Sequence, residues 1–317
     1  MKAIAVESFG GPEVLQLTEV EAPQAAPGMV LIKVEAAALN YADVLMRSGS
    51  YPGGPQPPFV PGLEVAGTVA AGPRQGERVM ALSWIGGYAE YALASEAAVW
   101  PIPEGMSSAE AAGFLVANLT AYFALWIADL KPDERVLIHA AAGGVGTAAV
   151  QLAHEMGAEI FATSSSDEKL KRVKALGAEQ GVNYASHDFA AEIRRLTGNE
   201  GVDIVLEMIG GEVFERSLEL LRNLGRMVLY GRVSGEGRMI DPAVLLGNSL
   251  ALHGLYLGGL VADPDLMKMA MDNLGEYVRR KKLRVMVGKH FTLAEAAEAH
   301  RFLESRQSFG KIVLSVA

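Results

Sequence analysis

The chain has 317 residues, half of them hydrophobic, with 28 Lys and Arg against 37 Asp and Glu for a net charge of −9. That length allows two domains with full cores, and an acidic whole repels phosphate backbones, which argues against a nucleic-acid partner. There is no cysteine, so disulfides, thiolate nucleophiles and cysteine-based zinc sites are excluded.

Residues 1–100 hold short segments rich in Val, Ile, Leu and Tyr between Gly and Pro turns. They are "KAIAVESF", "VLQLTEV", "MVLIKVEAAAL", "EVAGTVAAG", "ERVMALSW" and "YAEYALA". Such spacing predicts an antiparallel barrel or sandwich. "LTAYFALWIADL" reads as a helix, and from residue 135 the rhythm changes. "RVLIHA", "EIFATS", "GVNYA", "VDIVLEM", "RMVLYG" and "SLALHGLYL" read as six strands. The helices predicted between them are "GTAAVQLAHEMGA", "DEKLKRVKALGA", "DFAAEIRRLTG" and "EVFERSLELLRNLG". Alternation of this kind predicts a doubly wound parallel sheet. The last stretch predicts a helix over 263–282, a strand over 285–291, a helix from Leu293 and the strand "KIVLSV", returning to complete the first block. The basic run at 279–282 reads as a solvated helix end. No apolar run approaches the ~20 residues of a membrane span. The opening "MKAIAVESFGG" lacks the apolar core of a signal peptide, so the expected compartment is the cytoplasm with no membrane partner.

In "RVLIHAAAGGVGTAAVQLA", glycines separate the first parallel strand from its helix. Gly143 and Gly144 let the backbone approach a pyrophosphate, Gly146 lets helix and strand pack closely, and the helix start around Val145 supplies free N–H groups. The second strand ends in Ser164, Ser165 and Ser166, with Lys169 one helical turn on and Tyr184 ending the third strand. Neutral donors and a cation suit a 2′-phosphate, so the expected cofactor is NADPH. Asp167 is read as the N-cap of the next helix in preference to a ribose-binding acid one step late. His139, just before the glycines, is read as a packed strand-end histidine, with an acid/base role as the alternative.

Six pieces carry a family resemblance: "LNYADVLMRSGSYPGGP", "PGLEVAGTV", "GGYAEYALA", "AAGFLVANLTAYFAL", "HAAAGGVGTAAVQLA" and "ESRQSFGKIVLSV". Together they resemble the zinc-independent quinone oxidoreductases of the medium-chain dehydrogenase/reductase superfamily. The resemblance implies a GroES-like, mainly antiparallel β substrate domain from 1–117 and 262–317, and a six-stranded Rossmann NADPH domain over 118–261. In the zinc-using relatives a cysteine and a histidine ligate metal at the positions matching Asn40 and Leu63; Leu has no lone pair and amides bind zinc poorly. Glu64 is expected to keep a structural place, hydrogen-bonding near the cofactor.

A substrate reduced without a Lewis acid must already be electrophilic, as quinones and conjugated enones are. By resemblance Asn40 lies beside the nicotinamide, its amide placed for a carbonyl or the ribose. Tyr51 is either a hydrogen-bond donor to developing oxyanion charge or an aromatic lid that excludes water. Asp43 and Arg47 read as structural, for example as an ion pair, with substrate contact as the alternative. The resemblance also implies cofactor contacts at Thr120, at Tyr230 and Gly231, and at Phe309, Gly310 and Lys311. Lys311 is expected to face phosphate or carboxamide, the alternative being an ordinary surface lysine. Residues 249–257 read as an apolar edge strand, and the family pairs this edge in a homodimer. The function expected is NADPH-dependent quinone reduction by hydride transfer. The alternatives are an enoyl-thioester or 2-alkenal reductase, and a non-catalytic NADPH-binding structural or RNA-binding protein.

Overall fold

The computed structural model describes residues 1–316. The chain forms two compact units: Met1–Ala117 with the chain from Val285 on, and Asn118–Arg284.

The first unit opens with β1 (Lys2–Val6) and β2 (Leu15–Glu19), paired antiparallel as a separate ribbon. β3 (Met29–Ala38), α1 (Tyr41–Arg47), β4 (Glu64–Ala71), β5 (Arg78–Leu82), β6 (Tyr91–Ser95), β7 (Val99–Pro101) and α2 (Ser108–Ala112) follow. In β3 alternate residues Val30, Ile32 and Val34 are buried, the period-two pattern of a strand with one face on the core. α1, α2 and β7 lie outside the elements expected from the sequence.

The second unit takes the chain through α3 (Leu115–Ile127), β8 (Arg135–Ile138), α4 (Gly144–Glu155), β9 (Glu159–Ser164), α5 (Asp167–Lys174) and β10 (Gln180–Asn183). It continues with α6 (Phe189–Leu196), β11 (Val202–Glu207), α7 (Gly211–Leu218), β12 (Leu221–Leu229), α8 (Pro242–Gly247), β13 (Ala251–Gly254), α9 (Leu257–Val261) and α10 (Pro264–Arg279). The sheet is six-stranded, all parallel, in the order β10-β9-β8-β11-β12-β13. This is a Rossmann sheet, and its order reverses between β8 and β11.

β14 (Val287–Thr292), α11 (Ala296–Glu304) and β15 (Lys311–Ser315) return to the first unit. There the main sheet runs β14-β15-β3-β4-β5-β7, with β6 also on β3. All its pairs are antiparallel except β14 with β15.

Several expectations need correction. The return to the first unit comes at residue 285 and not 262. α10 belongs to the second unit because its stripe Met267, Ala270 and Leu274 is buried there, and Asn273 Nδ2 donates to Tyr122 Oη of α3 at 3.0 Å. The helix expected over 212–225 stops at Leu218, and β12 starts at Leu221. There the register slips between Val202 and Ile204, and Leu224 takes φ +65° in the exposed bulge. Residues 249–257 are not one long strand: only Ala251–Gly254 pairs, at the sheet edge.

Candidate active site

The second unit gathers most of the expected cofactor contacts at the carboxyl ends of its strands. The turn after β8 leads into α4 with Gly143 as N-cap. A Cβ on Gly146 would lie 2.4 Å from Ala140 O and 2.6 Å from Ala141 Cα, so only glycine lets the helix start this close to the strand. The first amides of α4, at Gly144, Val145 and Gly146, have no acceptor within the helix by its geometry and suit an anion. His139 is buried under this turn, its ring nitrogens 3.0 Å from Thr163 Oγ1 and 2.8 Å from Ser217 Oγ. Burial pulls its pKa down to about 4, so it is a neutral cross-link of β8, β9 and α7.

Ser164 ends β9 and is buried; Asn183, which ends β10, pairs with it in register. Tyr184 donates its N–H to Ser164 O at 3.1 Å and leaves its ring partly exposed. Ser166, not Asp167, caps α5: its hydroxyl accepts from Lys169 N at 3.3 Å. Asp167 is the first helical residue and accepts from Asn183 Nδ2 at 3.1 Å. Lys169 Nζ is 3.4 Å from Ser165 Oγ, and partial burial lowers its pKa. A cation in a helix's first turn opposes the macrodipole, an unfavourable placement that a bound anion would relieve. Tyr230 and Gly231 follow β12, with Tyr230 N donating to Glu207 O at 3.0 Å. Thr120 is buried in α3.

Glu207 lies outside the residues expected from the sequence. It ends β11 fully buried, and its carboxylate accepts from Ile209 N at 2.7 Å and Gly210 N at 3.0 Å. Burial raises its pKa against those hydrogen bonds. The signal available in the sequence was the Gly210-Gly211 pair soon after it.

The first unit carries a second polar cluster. Asn40 is the N-cap of α1, and Glu64 is the first residue of β4. Asn40 Nδ2 donates to Glu64 Oε1 at 3.0 Å, and Glu64 Oε2 accepts from Val116 N at 2.9 Å. Lys311 is not at the surface. It is 4% exposed, and its ammonium donates to Leu39 O at 2.8 Å, Asn40 Oδ1 at 2.7 Å and Glu64 Oε1 at 2.8 Å. Its three protons are taken within the protein, so it does not present charge to a phosphate. Gly310 brings it there: φ is +66°, and a Cβ would lie 1.8 Å from Met286 O. Phe309 is buried in the first unit too. Leu63, beside Glu64, is buried among apolar core residues.

Asp43 and Arg47 do not pair with each other. Asp43 accepts from Asn40 N at 2.8 Å, Gly62 N at 3.2 Å and Tyr88 Oη at 3.2 Å. Its burial pushes its pKa up to about 7, against the lowering by Asn40 N–H, Lys311 and Tyr88. Arg47 forms a two-pronged pair with Glu304 at 3.1 and 2.9 Å and lies 3.2 Å from His300 Nδ1. His300 is buried, and burial with Arg47 nearby lowers its pKa to about 3. Because arginine only donates, Nδ1 is the acceptor and Nε2 carries the proton toward Tyr88 Oη, 3.4 Å away. Asp43 thus ties α1 to Gly62 and Tyr88, and Arg47 ties α1 to α11.

Tyr51 lines a cavity of about 260 Å³ with Phe9, Met46 and Gln56; Asn40 is not on its wall. Among the described residues no group of three or more His, Asp and Glu is placed to hold a metal ion.

The fold and these clusters define a dehydrogenase/reductase of the alcohol dehydrogenase type: residues 26–104 match the alcohol dehydrogenase GroES-like domain and 144–275 the zinc-binding dehydrogenase family. The chain belongs to the quinone oxidoreductase family of the medium-chain dehydrogenase/reductase superfamily. It is 33% identical to human quinone oxidoreductase over 99% of this chain and 97% of that one. The quinone oxidoreductase of Thermus thermophilus, solved alone and with NADPH, is 42% identical with a TM-score of 0.88, over 99% of this chain and all of that one. The Escherichia coli quinone oxidoreductase solved with NADPH is 31% identical with a TM-score of 0.93, over 99% of this chain and all of that one.

Proposed function

We propose that this chain is an NADPH-dependent quinone reductase that works without zinc. The observation that carries the reading is the Asn40–Glu64–Lys311 cluster beside Leu63. A zinc site needs several convergent lone pairs. Here Leu63 offers none, and the Lys311 ammonium already lies 2.7 Å from Asn40 Oδ1 and 2.8 Å from Glu64 Oε1. A dication would meet a fixed positive charge, so these donors do not suit zinc.

The groups of the second unit fit NADPH. The α4 N-terminus over Gly146 suits the pyrophosphate, and Ser165, Lys169 and Tyr184 suit the adenosine end with its 2′-phosphate. Bound there, NADPH supplies a hydride; with one proton from water or Tyr51 this takes a quinone to its hydroquinone. The chain's part is positioning. Asn40 is held by its neighbours Glu64 and Lys311, and Tyr51 with Phe9 lines a cavity of about 260 Å³. NADPH consumption with quinones, 2-alkenals and enoyl-thioesters tests this: quinone turnover is expected, and turnover of enoyl-thioesters alone would contradict it.

Lys169→Glu is expected to weaken NADPH on the order of 100-fold while changing NADH by about threefold or less, since only NADPH carries the 2′-phosphate. Fluorescence titration of both cofactors checks it, and equal losses would remove the phosphate assignment.

We also propose a homodimer through the edge strand β13. Leu246 is 81% and Tyr256 66% exposed on either side of it, and an uncovered edge invites pairing. Sedimentation should give a dimer for the parent chain and a monomer for Leu246→Asp with Tyr256→Asp. Among the described residues no helix is long and apolar enough to cross a membrane.

A further inference from the structure

Glu207 ends β11 with no exposure and no lysine or arginine among the groups that act on it. Its Oε1 accepts from Ile209 N at 2.7 Å and Gly210 N at 3.2 Å, and its Oε2 from Gly210 N at 3.0 Å. A buried charge held by amides alone is costly. The positive end of α7, whose N-cap is Gly210, offsets part of that cost. What the carboxylate supplies in return is the shape of the turn 208–210. An apolar side chain at 207 would leave two N–H groups of that turn without their acceptor.

That turn sits where a ligand is expected. The sheet order reverses between β8 and β11, and in open parallel sheets ligands lie in the crevice between the loops that follow two such strands. One side of the crevice is the turn into α4, whose first amides suit an anion. The other is the turn 208–210, in which Met208 and Ile209 are half-buried. The segment after β12 backs it through Tyr230 N to Glu207 O at 3.0 Å, Val233 N to Met208 O at 3.0 Å and Ser234 N to Ile209 O at 2.8 Å. The amides of Ile209 and Gly210 are thus taken by Glu207, and the carbonyls of Met208 and Ile209 by that segment. The turn has apolar surface to offer and no charge. It suits the uncharged sugar and ring of a dinucleotide whose pyrophosphate lies on the α4 side. Resting on the NADPH reading above, we infer that Glu207 is a positioning residue. It holds Met208 and Ile209 in place as the apolar wall of the crevice, against which the part of the dinucleotide remote from the 2′-phosphate lies.

The test uses the full chain. Glu207→Gln keeps the size of the side chain and removes the charge, and an NH₂ then stands where one carboxylate oxygen met Gly210 N. Because a costly buried charge goes as well, the melting midpoint is expected within a few degrees of the parent. Affinity for NADPH and for NADH, read by cofactor fluorescence, should each fall about tenfold, the worth of one hydrogen bond. Amide hydrogen exchange should quicken at Ile209, Gly210, Val233 and Ser234 and stay parental in β8 and α4. Ser234→Pro deletes the N–H given to Ile209 O and should weaken both cofactors in the same way. Joined to Glu207→Gln it should cost less than the product of the two losses, since both act on one turn. A folded Glu207→Gln chain with parental affinity, a loss confined to NADPH, or losses that multiply with Ser234→Pro would each overturn the assignment. If Glu207→Gln does not fold, Ser234→Pro decides alone, and parental affinity there would overturn it. Quinone turnover plays no part in the comparison, so a parent chain that binds NADPH yet reduces no quinone would sink the substrate reading alone. A parent chain that binds neither cofactor would sink the NADPH reading and this inference with it.

Discussion

Replacing Gly146 by Ala is expected to destabilise the second unit by about 3 kcal/mol, the upper end for overpacking, and to weaken NADPH by at least about tenfold. The added methyl would stand 2.4 Å from Ala140 O and within 2.7 Å of two further atoms of Ala141. All three are backbone atoms, so no flexible side chain can give way. The relief left is to move the start of α4 off the turn after β8. That displaces the amides of Gly144, Val145 and Gly146 from the place where a pyrophosphate would meet them. Gly143 is the internal control: a Cβ there would lie 3.3 Å from Ala140 O, a tight contact but not an overlap, so Gly143→Ala should cost less stability than Gly146→Ala. Denaturant unfolding with NADPH titration checks both. A Gly146→Ala chain with parental stability and affinity would show that the turn is not built for close approach.

Acid is expected to unfold the chain through its two buried histidines. The pKa of His139 is lowered to about 4 and that of His300 to about 3, while unfolded histidine titrates near 6.5. Below pH 6.5 the unfolded chain therefore takes up protons that the folded chain cannot. Each histidine contributes stability that is complete above 6.5 and lost as pH falls, about 3 kcal/mol apiece by pH 4. Asp43 has the opposite sign. Its pKa is raised to about 7 from 3.8, so the folded chain is protonated first and gains stability as pH falls between those values. That gain is about 4 kcal/mol, against about 6–7 for the histidines together, so a net loss on the order of 3 kcal/mol remains between pH 7 and 4. Unfolding free energies across that range measure it. His139→Gln, which keeps hydrogen-bonding capacity toward Thr163 or Ser217, should remove about half of the histidine contribution. NMR signals of the two imidazoles should stay constant down to about pH 5. Stability that rises steadily from pH 7 to 5, with both rings titrating near 6.5, would show that they are solvated.

Much of the fold could be read from local pattern. Strands buried on both faces have an apolar run at their centre, "VLI" in β8 and "IVL" in β11, and glycine spacing marked the turn into α4. Where local pattern misled, a second signal competed with it. Leu218, Leu221 and Leu224 repeat at helical spacing, yet Leu224 sits in a left-handed bulge of β12 and is 65% exposed. The run 249–257 is apolar enough for a strand, but Tyr256 and Leu257 already turn into α9. Ser166 and Asp167 are equally good caps by residue type, and only the backbone of Ser166 is extended.

In the second unit the residues expected to meet the cofactor, Thr120 of α3 apart, were singled out because they come at or shortly after the ends of predicted strands. The first unit's cluster was less so. Lys311 meets Glu64 across 247 positions and Asn40 across 271, separations at which spacing carries no information. A lysine beginning a strand looks like a surface lysine until Gly310, held at positive φ, turns it inward. The expected pairing of Asp43 with Arg47 failed for the same reason: their true partners, Tyr88, His300 and Glu304, come from other segments of the chain.

Reduction of an activated acceptor, in a site whose cation is Lys311, is the claim on which the proposed function stands. The most direct measurement is NADPH oxidation with a simple quinone before and after exhaustive chelation, with the zinc content of the protein determined alongside. Unchanged turnover at far less than one zinc per chain is the predicted result. Turnover abolished by the chelator and restored by added zinc would contradict it.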